Sequence, residues 1–146
     1  MDLKYFDWAK HQAVMRPNKV AIKDYSSGEK LTYLELERRA LKIATYFQKK
    51  EIGRNDRVAI LSKNNSIFFE LQFACAKKGV ILVPLNWRLT APELSFILKD
   101  CDPKLLIFDS PFKGTVSSLN NSSKNMCLLE FDSSDSNNEF SSVWES

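Results

Sequence analysis

The chain has 146 residues, 44% of them hydrophobic, which suits one domain with its own apolar core. Its 21 Lys and Arg residues exceed its 18 Asp and Glu residues by a net charge of +3, too little and too scattered for a nucleic-acid site. With no apolar run of roughly 20 residues and no secretory signal at its acidic N-terminus, we expect a soluble, cytoplasmic protein with no transmembrane segment and no nucleic-acid partner.

The first part of the chain predicts a helix followed by a β-hairpin. Apolar residues at helical spacing extend from about residue 3 to residue 15 and stop before Pro17. A short β-branched run at residues 20–22 is separated by turn residues 25–28 from a second extended piece at residues 29–31.

The clearest helix begins at Thr32, because Glu35 follows three residues later and completes a capping box. The pattern predicts a helix that ends near Lys50, with charged residues on its solvent face. The predicted buried stripe comprises Leu36, Ala40, Ile43, Ala44 and Phe47, and the predicted exposed residues are Glu37, Arg38, Lys42 and Lys49.

An apolar run without alternation at residues 58–61 predicts a strand that is covered on both faces. Two further apolar runs, at residues 80–83 and 105–108, predict the second and third strands. One helix lies between the first two runs, with Asn65-Ser66 as its expected cap and Gly79 as its end. A second helix follows the second run. It begins at Thr90 in a capping box with Glu93, buries Leu94, Ile97, Leu98 and Cys101, and ends at Asp102-Pro103.

Strands that alternate with helices over short connections predict an α/β fold, with a parallel sheet between two helical layers. We assign residues 1–109 to this α/β segment. Residues 110–146 are rich in Ser and Asn and contain one further predicted strand at residues 126–131. Because this tail has too few apolar residues for a core of its own, we expect it to continue a domain that is incomplete at residue 146.

Ligands of parallel α/β sheets collect at the carboxyl ends of the strands, where this chain carries the loop of residues 85–89. Arg88 lies two residues before a helix N-cap, and a guanidinium beside free helix N–H groups favours a phosphate or carboxylate. Pairing of Arg88 with Glu93 or Asp109, or simple solvation, explains the same position equally well. Lys63, after the first parallel strand, can also face a ligand, whereas its neighbouring asparagines fit turn and cap roles better.

Other functions find little support in the residues. The four glycines never approach G-x-G-x-x-G, and the first parallel strand ends in Ser62-Lys63 rather than in the clustered acids of a phosphoacceptor domain. The cysteines at 75, 101 and 127 lack metal-ligand or disulfide spacing, and His11 has no nucleophile beside it. We therefore predict no metal site and assign no catalytic residue.

A series of short motifs carries a family resemblance. In chain order they are residues 31–33 with Glu35 and Leu36, Gly53 with residues 56–59, residues 65–66, Ala76 with Gly79, and residues 83–86 leading to residues 88–90. Together they resemble the N-terminal part of the adenylate-forming (AMP-binding) acyl-CoA synthetases over about residues 17–109. The Asn-Trp-Arg-Leu form of the loop looks like the acid–CoA ligase branch of that family.

The resemblance implies part of the N-terminal domain of the adenylate-forming enzyme fold and a two-step reaction. ATP and a carboxylic acid give an acyl-adenylate and pyrophosphate, and CoA then takes the acyl group as a thioester. The family uses ATP, CoA and Mg²⁺, a phosphate loop and a lysine of a C-terminal domain, and neither of the last two elements occurs in this chain. The resemblance also implies that Arg88 contacts a phosphate of CoA, while fatty, aromatic and succinylbenzoate-type acids all remain open.

Two hypotheses follow. In the first, the chain is the N-terminal portion of an acid–CoA ligase, separated from the missing remainder of the enzyme by truncation, frameshift or gene splitting. Residues 1–146 alone are then inactive and bind ATP, CoA and Mg²⁺ poorly. In the second, the chain is a stand-alone, non-catalytic binding or interaction module on the same scaffold.

Overall fold

The computed structural model of the protein describes residues 7–25, 27–119 and 126–133. Helix α1 spans Trp8–Met15, and its predicted beginning near residue 3 lies outside the described residues. Strands β1 (Val20–Lys23) and β2 (Lys30–Thr32) pair in antiparallel fashion, as the predicted hairpin requires.

Helix α2 spans Tyr33–Lys49 and begins with the predicted capping box. The Thr32 backbone N–H donates to Glu35 Oε2 at 2.7 Å, and the Glu35 N–H donates to Thr32 Oγ1 at 3.3 Å. These contacts satisfy two of the donors that a helix N-terminus leaves free. All five residues of the predicted apolar stripe are buried.

The prediction that Glu37 faces solvent is wrong. Its side chain is buried against α3 (Ile67–Lys78), where Lys77 Nζ lies 2.8 Å from Glu37 Oε2. The same ammonium lies 2.7 Å from Asp7 Oδ2, at the start of α1. A buried cation shared between two carboxylates thus joins α1, α2 and α3.

The main sheet contains β3 (Arg57–Leu61), β4 (Ile81–Leu85), β5 (Leu105–Asp109) and β6 (Cys127–Phe131) in the order β4-β3-β5-β6. All three pairings are parallel, which confirms the predicted α/β class. The strand predicted at residues 126–131 is present as β6, beside β5. Where the domain ends stays a prediction.

Alternate residues of the central strand face two separate cores. Val58 and Ile60 pack with α2 and α3, whereas Ala59 and Leu61 pack with α4 (Ala91–Cys101) and the short helix α5 (Lys113–Ser117). The three predicted layers are therefore present. The sequence did not predict α5 or the single 3₁₀ turn at Ser110–Phe112 that precedes it.

The helix boundaries largely follow the expected signals. Gly79 ends α3 at φ 68°, a left-handed conformation that glycine adopts without strain. Ser66 stands at the N-cap of α3 but makes no capping bond through its side chain, and the Asn65 amide instead donates to Ser62 Oγ at 3.0 Å. At the start of α4, the Thr90 N–H donates to Glu93 Oε2 at 2.8 Å. Within α4, Leu94 and Leu98 are buried, while Ile97 and Cys101 are half-buried.

The strand predicted from the second apolar run is present as β4, and it is less completely buried than β3. Strand β4 lies at the edge of the sheet that the described ranges form, and Ile81 is 48% exposed. Pro84 fits this edge position because it has no N–H to donate to a further strand. In the part of the chain that the structure describes, no helix has the length and hydropathy of a membrane span.

A buried carboxylate links α2, α3 and the hairpin. Arg39 Nη1 donates to Glu70 Oε1 at 3.2 Å, and Arg39 Nη2 donates to Glu29 Oε1 at 2.7 Å. Glu70 is 1% exposed. Burial raises the pKa of Glu70 above its ordinary value and outweighs the lowering effect of the Arg39 guanidinium.

Replacing Glu70 by glutamine should change the pH dependence of stability. Because its folded pKa is raised, the native protein holds this proton more tightly than the unfolded chain does. The unfolding free energy of the wild type should therefore rise relative to Glu70→Gln as the pH falls from neutrality to the ordinary value of 4.5, and then level off. Urea titrations of both proteins at several pH values measure this difference. A relative loss of wild-type stability on acidification would show that the Arg39 pair governs the carboxyl group.

Candidate functional site

A cavity of about 430 Å³ lies at the carboxyl ends of β3 and β4. The chain leaves β3 towards α3 on one face of the sheet and leaves β4 towards α4 on the other. Neighbouring strands whose connections diverge in this way leave a crevice between them, the usual ligand position in α/β proteins. The cavity is lined by Ser62, Lys63, Asn64, Phe68, Pro84, Leu85, Asn86, Trp87 and Arg88.

Among the residues that the structure describes, the lining contains two cations and no carboxylate. Both cations lie against the same indole ring: Arg88 Cζ is 4.3 Å and Lys63 Nζ is 5.3 Å from the ring centroid of Trp87. None of the ion pairs within the described ranges involves Lys63 or Arg88. Both charged groups are exposed, so an incoming anion meets two cations with no acid competing for them.

The conformation of the β4–α4 loop depends on Asn86. Its Oδ1 accepts the Arg88 backbone N–H at 3.0 Å, and its carbonyl oxygen accepts the Leu89 N–H at 3.1 Å. This is an asparagine-based turn, in which the side chain substitutes for a backbone acceptor. The Trp87 ring also lies 6.3 Å from the Phe112 ring, centroid to centroid, which anchors the loop to the second core.

The two acids that the sequence offers as partners for Arg88 are bonded elsewhere. Glu93 accepts the Thr90 N–H, and this bond lowers the pKa of Glu93 below its ordinary value. Asp109 is buried and accepts the backbone N–H of Ser133 at 3.0 Å and its hydroxyl at 2.6 Å. Neither acid therefore neutralises Arg88. Of the interpretations that the sequence left open, the structure does not support pairing with Glu93 or Asp109, and it leaves Arg88 as an exposed cation at the strand ends.

The remaining candidate residues lie outside the cavity lining. Asp56 accepts the Gly53 N–H at 2.8 Å and contacts Lys104, while Arg57 Nε donates to the carbonyl oxygen of Cys101 at 2.7 Å. These contacts tie the loops at the amino ends of the strands and are structural. His11 is exposed on α1, with its ring 6.3 Å from that of Trp8.

The described residues contain no cluster of three or more His, Cys, Asp or Glu side chains suited to a metal ion. Cys75 is buried, and burial raises the pKa of its thiol to about 12. A thiol with so high a pKa carries almost no reactive thiolate at neutral pH. Cys75 is therefore unsuited to act as a nucleophile, and it belongs to no cluster of metal ligands among the described residues.

The sequence analysis named Lys63 and Arg88 separately but did not bring them together, and Trp87 entered it only as part of the Asn-Trp-Arg-Leu loop. Their meeting depends on the register of β3 and β4, in which Leu61 pairs with Leu85. A signal was nevertheless present, because basic residues follow closely behind two successive predicted strands.

Comparison with known proteins adds the family context. The family described as "AMP-binding enzyme" matches residues 9–144. The chain is similar to feruloyl-CoA synthase of an Amycolatopsis species, with 37% identity over 77% of this chain and 22% of that protein. It is 36% identical to the long-chain-fatty-acid–CoA ligase FadD13 of Mycobacterium tuberculosis, over 75% of this chain and 22% of the ligase. The chain thus spans about a fifth of the length of these curated relatives.

Solved structures have the same fold. The structure resembles a fatty acyl CoA synthetase of Mycobacterium tuberculosis with a TM-score of 0.82 and 28% identity, covering 96% of this chain and 28% of that one. It also resembles the N-terminal domain of FACL13 from the same organism, with a TM-score of 0.80 and 28% identity. That match covers 99% of this chain and 36% of the FACL13 domain chain. The likeness confirms that the fold is part of the N-terminal domain of such enzymes.

Replacing Asn86 by alanine should loosen the loop that carries Trp87 and Arg88. The Arg88 N–H loses its acceptor, so we expect the unfolding free energy to fall by about 1 kcal/mol in urea titrations. Asn86→Asp keeps an accepting oxygen at the same position and should retain most of the stability. Equal losses in the two variants would show that the turn does not depend on this acceptor.

Proposed function

The chain belongs to the AMP-binding enzyme family, and from this premise we propose that it forms the N-terminal part of an ATP-dependent acid–CoA ligase. In the proposed reaction, a carboxylic acid and ATP give an acyl-adenylate and pyrophosphate, and CoA then accepts the acyl group as a thioester. The relatives named for long-chain fatty acids and for feruloyl-CoA support this class of reaction. Because these relatives are named for different acids, we propose a carboxylic acid as the substrate and do not specify which one.

The proposed role of the cavity is to bind the phosphorylated ribose of CoA through Arg88. The observation that carries this proposal is the pair of exposed cations, without an acidic partner, in a lining that has no carboxylate. A guanidinium presents several N–H donors in a plane and matches the oxygens of a phosphate group. The residues present therefore fit a phosphate.

Activation of the acid is proposed to need elements outside this chain. ATP brings three phosphates and a Mg²⁺ ion, and carboxylate oxygens are the usual protein ligands of Mg²⁺. The phosphate loop and the lysine-bearing domain that the resemblance implies for this step do not occur in the sequence of this chain. The proposed part of this chain in the reaction is to build one side of the enzyme and to orient CoA by its phosphate.

The second candidate is a stand-alone binding module, and one observation favours it. The two exposed cations of the cavity suit anion binding by themselves and call for no catalytic step. The coding DNA after residue 146 separates the two candidates. A frame that encodes a phosphate loop and a lysine-bearing C-terminal domain supports the ligase, and its absence supports the module.

Arg88→Gln should weaken the binding of CoA while sparing the binding of dephospho-CoA, which lacks the phosphate on the ribose. Loss of one exposed charge-assisted contact predicts about a five- to tenfold lower affinity for CoA and little change for dephospho-CoA. Titrations followed by NMR of the tryptophan indole N–H groups can measure even millimolar binding.

The matched control for this variant is Arg54→Gln. Arg54 is an exposed arginine before β3, at the opposite end of the strands, so this change removes the same charge without touching the cavity. Equal weakening by the two variants would assign the effect to net charge and contradict the proposed role of Arg88.

The 146-residue chain alone should release no pyrophosphate when it is given ATP, Mg²⁺ and a panel of fatty and aromatic acids. The reason is that the phosphate loop and the C-terminal lysine implied by the resemblance do not occur in its sequence. A coupled pyrophosphate assay checks this expectation against an intact acid–CoA ligase as the positive control. Turnover above background would contradict the proposal that activation of the acid needs elements outside this chain.

A further inference from the structure

The cavity lining holds a second cation, Lys63, which follows the end of β3 as Arg88 follows the end of β4. We propose that Lys63 is a second ligand of the same phosphate group, so that a phosphomonoester is held between the two connections that leave β3 and β4. This inference rests on the proposed function, and it assigns a substrate-positioning residue on a different strand connection.

The register of the sheet places Lys63 and Arg88 just beyond the carboxyl ends of two adjacent strands. Leu61 pairs with Leu85 at the carboxyl ends of adjacent parallel strands, and Lys63 and Arg88 follow these residues by two and three positions. Both charged groups then reach the same Trp87 ring, with Nζ at 5.3 Å and Cζ at 4.3 Å from its centroid. Both charged groups line the same cavity and, from these two distances, lie no more than about 10 Å apart, a gap that their long, flexible side chains can close around a shared anion.

The charge of the ligand calls for two cations. A phosphomonoester carries nearly two negative charges at neutral pH, because its second pKa is about 6. Arg88 alone neutralises half of that charge, and Lys63 supplies the other half. The cavity lining contains no acid that would compete for either group.

The two residues also contribute different chemistry. A guanidinium binds two oxygens of a phosphate in one plane, whereas an ammonium is a compact point charge with donors that rotate freely. In the absence of an anion, both rest on the Trp87 ring, a weaker contact for an exposed cation than a charge-assisted hydrogen bond. Phosphate binding therefore draws both cations off the ring, and the Trp87 indole reports this change.

The test compares CoA with dephospho-CoA in NMR titrations of the whole chain, followed at the Trp87 indole N–H. The sequence has three tryptophans, so a Trp87→Phe spectrum identifies the signal. Lys63→Met keeps an apolar stem against the ring and removes the charge. We expect it to reduce the preference for CoA over dephospho-CoA by about three- to tenfold, and Lys63→Arg to keep most of that preference.

Lys99→Met is the matched control, because Lys99 is exposed in the last turn of α4, at the amino ends of the strands. It removes the same charge and should leave the preference unchanged. In the double variant Lys63→Met with Arg88→Gln, the preference for CoA over dephospho-CoA should fall by a factor that differs from the product of the factors for the two single variants. Both residues act on one phosphate, so their effects should not be independent.

The possible failures are distinguishable. If the wild type does not prefer CoA to dephospho-CoA, the proposed role of the cavity in binding the CoA phosphate fails, and this inference fails with it. If Arg88→Gln removes the preference and Lys63→Met keeps it, the proposed function stands and the second ligand is overturned. The second ligand is also overturned if Lys63→Met weakens both ligands equally, because Lys63 then acts on another part of CoA or only orients Trp87.

Discussion

The central position of β3 is the constraint on which the rest of this structure depends. The four residues from Val58 to Leu61 are all 0% exposed, and the strand pairs with β4 on one side and β5 on the other. A strand buried on both faces needs a helical layer on each, because its side chains alternate between the two. The connection after β3 supplies one layer and the connection after β4 supplies the other. The crevice between those connections is a consequence of burying β3, and it holds the candidate anion site.

The buried charges of the protein have a different role from the charges at the cavity. Glu37 and Glu70 are buried beside Lys77 and Arg39, and each set joins helices on the same face of the sheet. Breaking such a pair leaves an uncompensated charge in the core, so these contacts fix the way in which α1, α2 and α3 pack. Lys63 and Arg88 have no such partners among the residues that the structure describes, and their charged groups lie against the ring of Trp87. That difference separates the structural charges from the candidate binding charges.

Local signals in the sequence predicted most of the elements and could not predict their long-range pairing. The capping boxes at Thr32 and Thr90 act over four residues, and the structure contains both. The burial of Glu37 depends on Lys77, 40 residues later, and no local pattern carries that information. An apolar run likewise predicts a strand but not its place in the sheet, so the edge position of β4 among the described strands emerged only from the structure. The family resemblance pointed to Arg88, but the shared ring of Trp87 emerged only from the register of β3 and β4.

The edge position of β4 also limits how tightly this chain can bind a ligand. One wall of the cavity is an edge strand, and its two cations are exposed, so each contact with phosphate is screened by water and salt. Two such contacts of about 1.5 kcal/mol each fall short of the roughly 4 kcal/mol that a millimolar dissociation constant represents. Tight binding of CoA therefore requires further contacts with the rest of the ligand. If the proposed function holds, the two exposed cations orient a phosphate rather than hold CoA tightly, and weak binding by the chain alone is the expected behaviour.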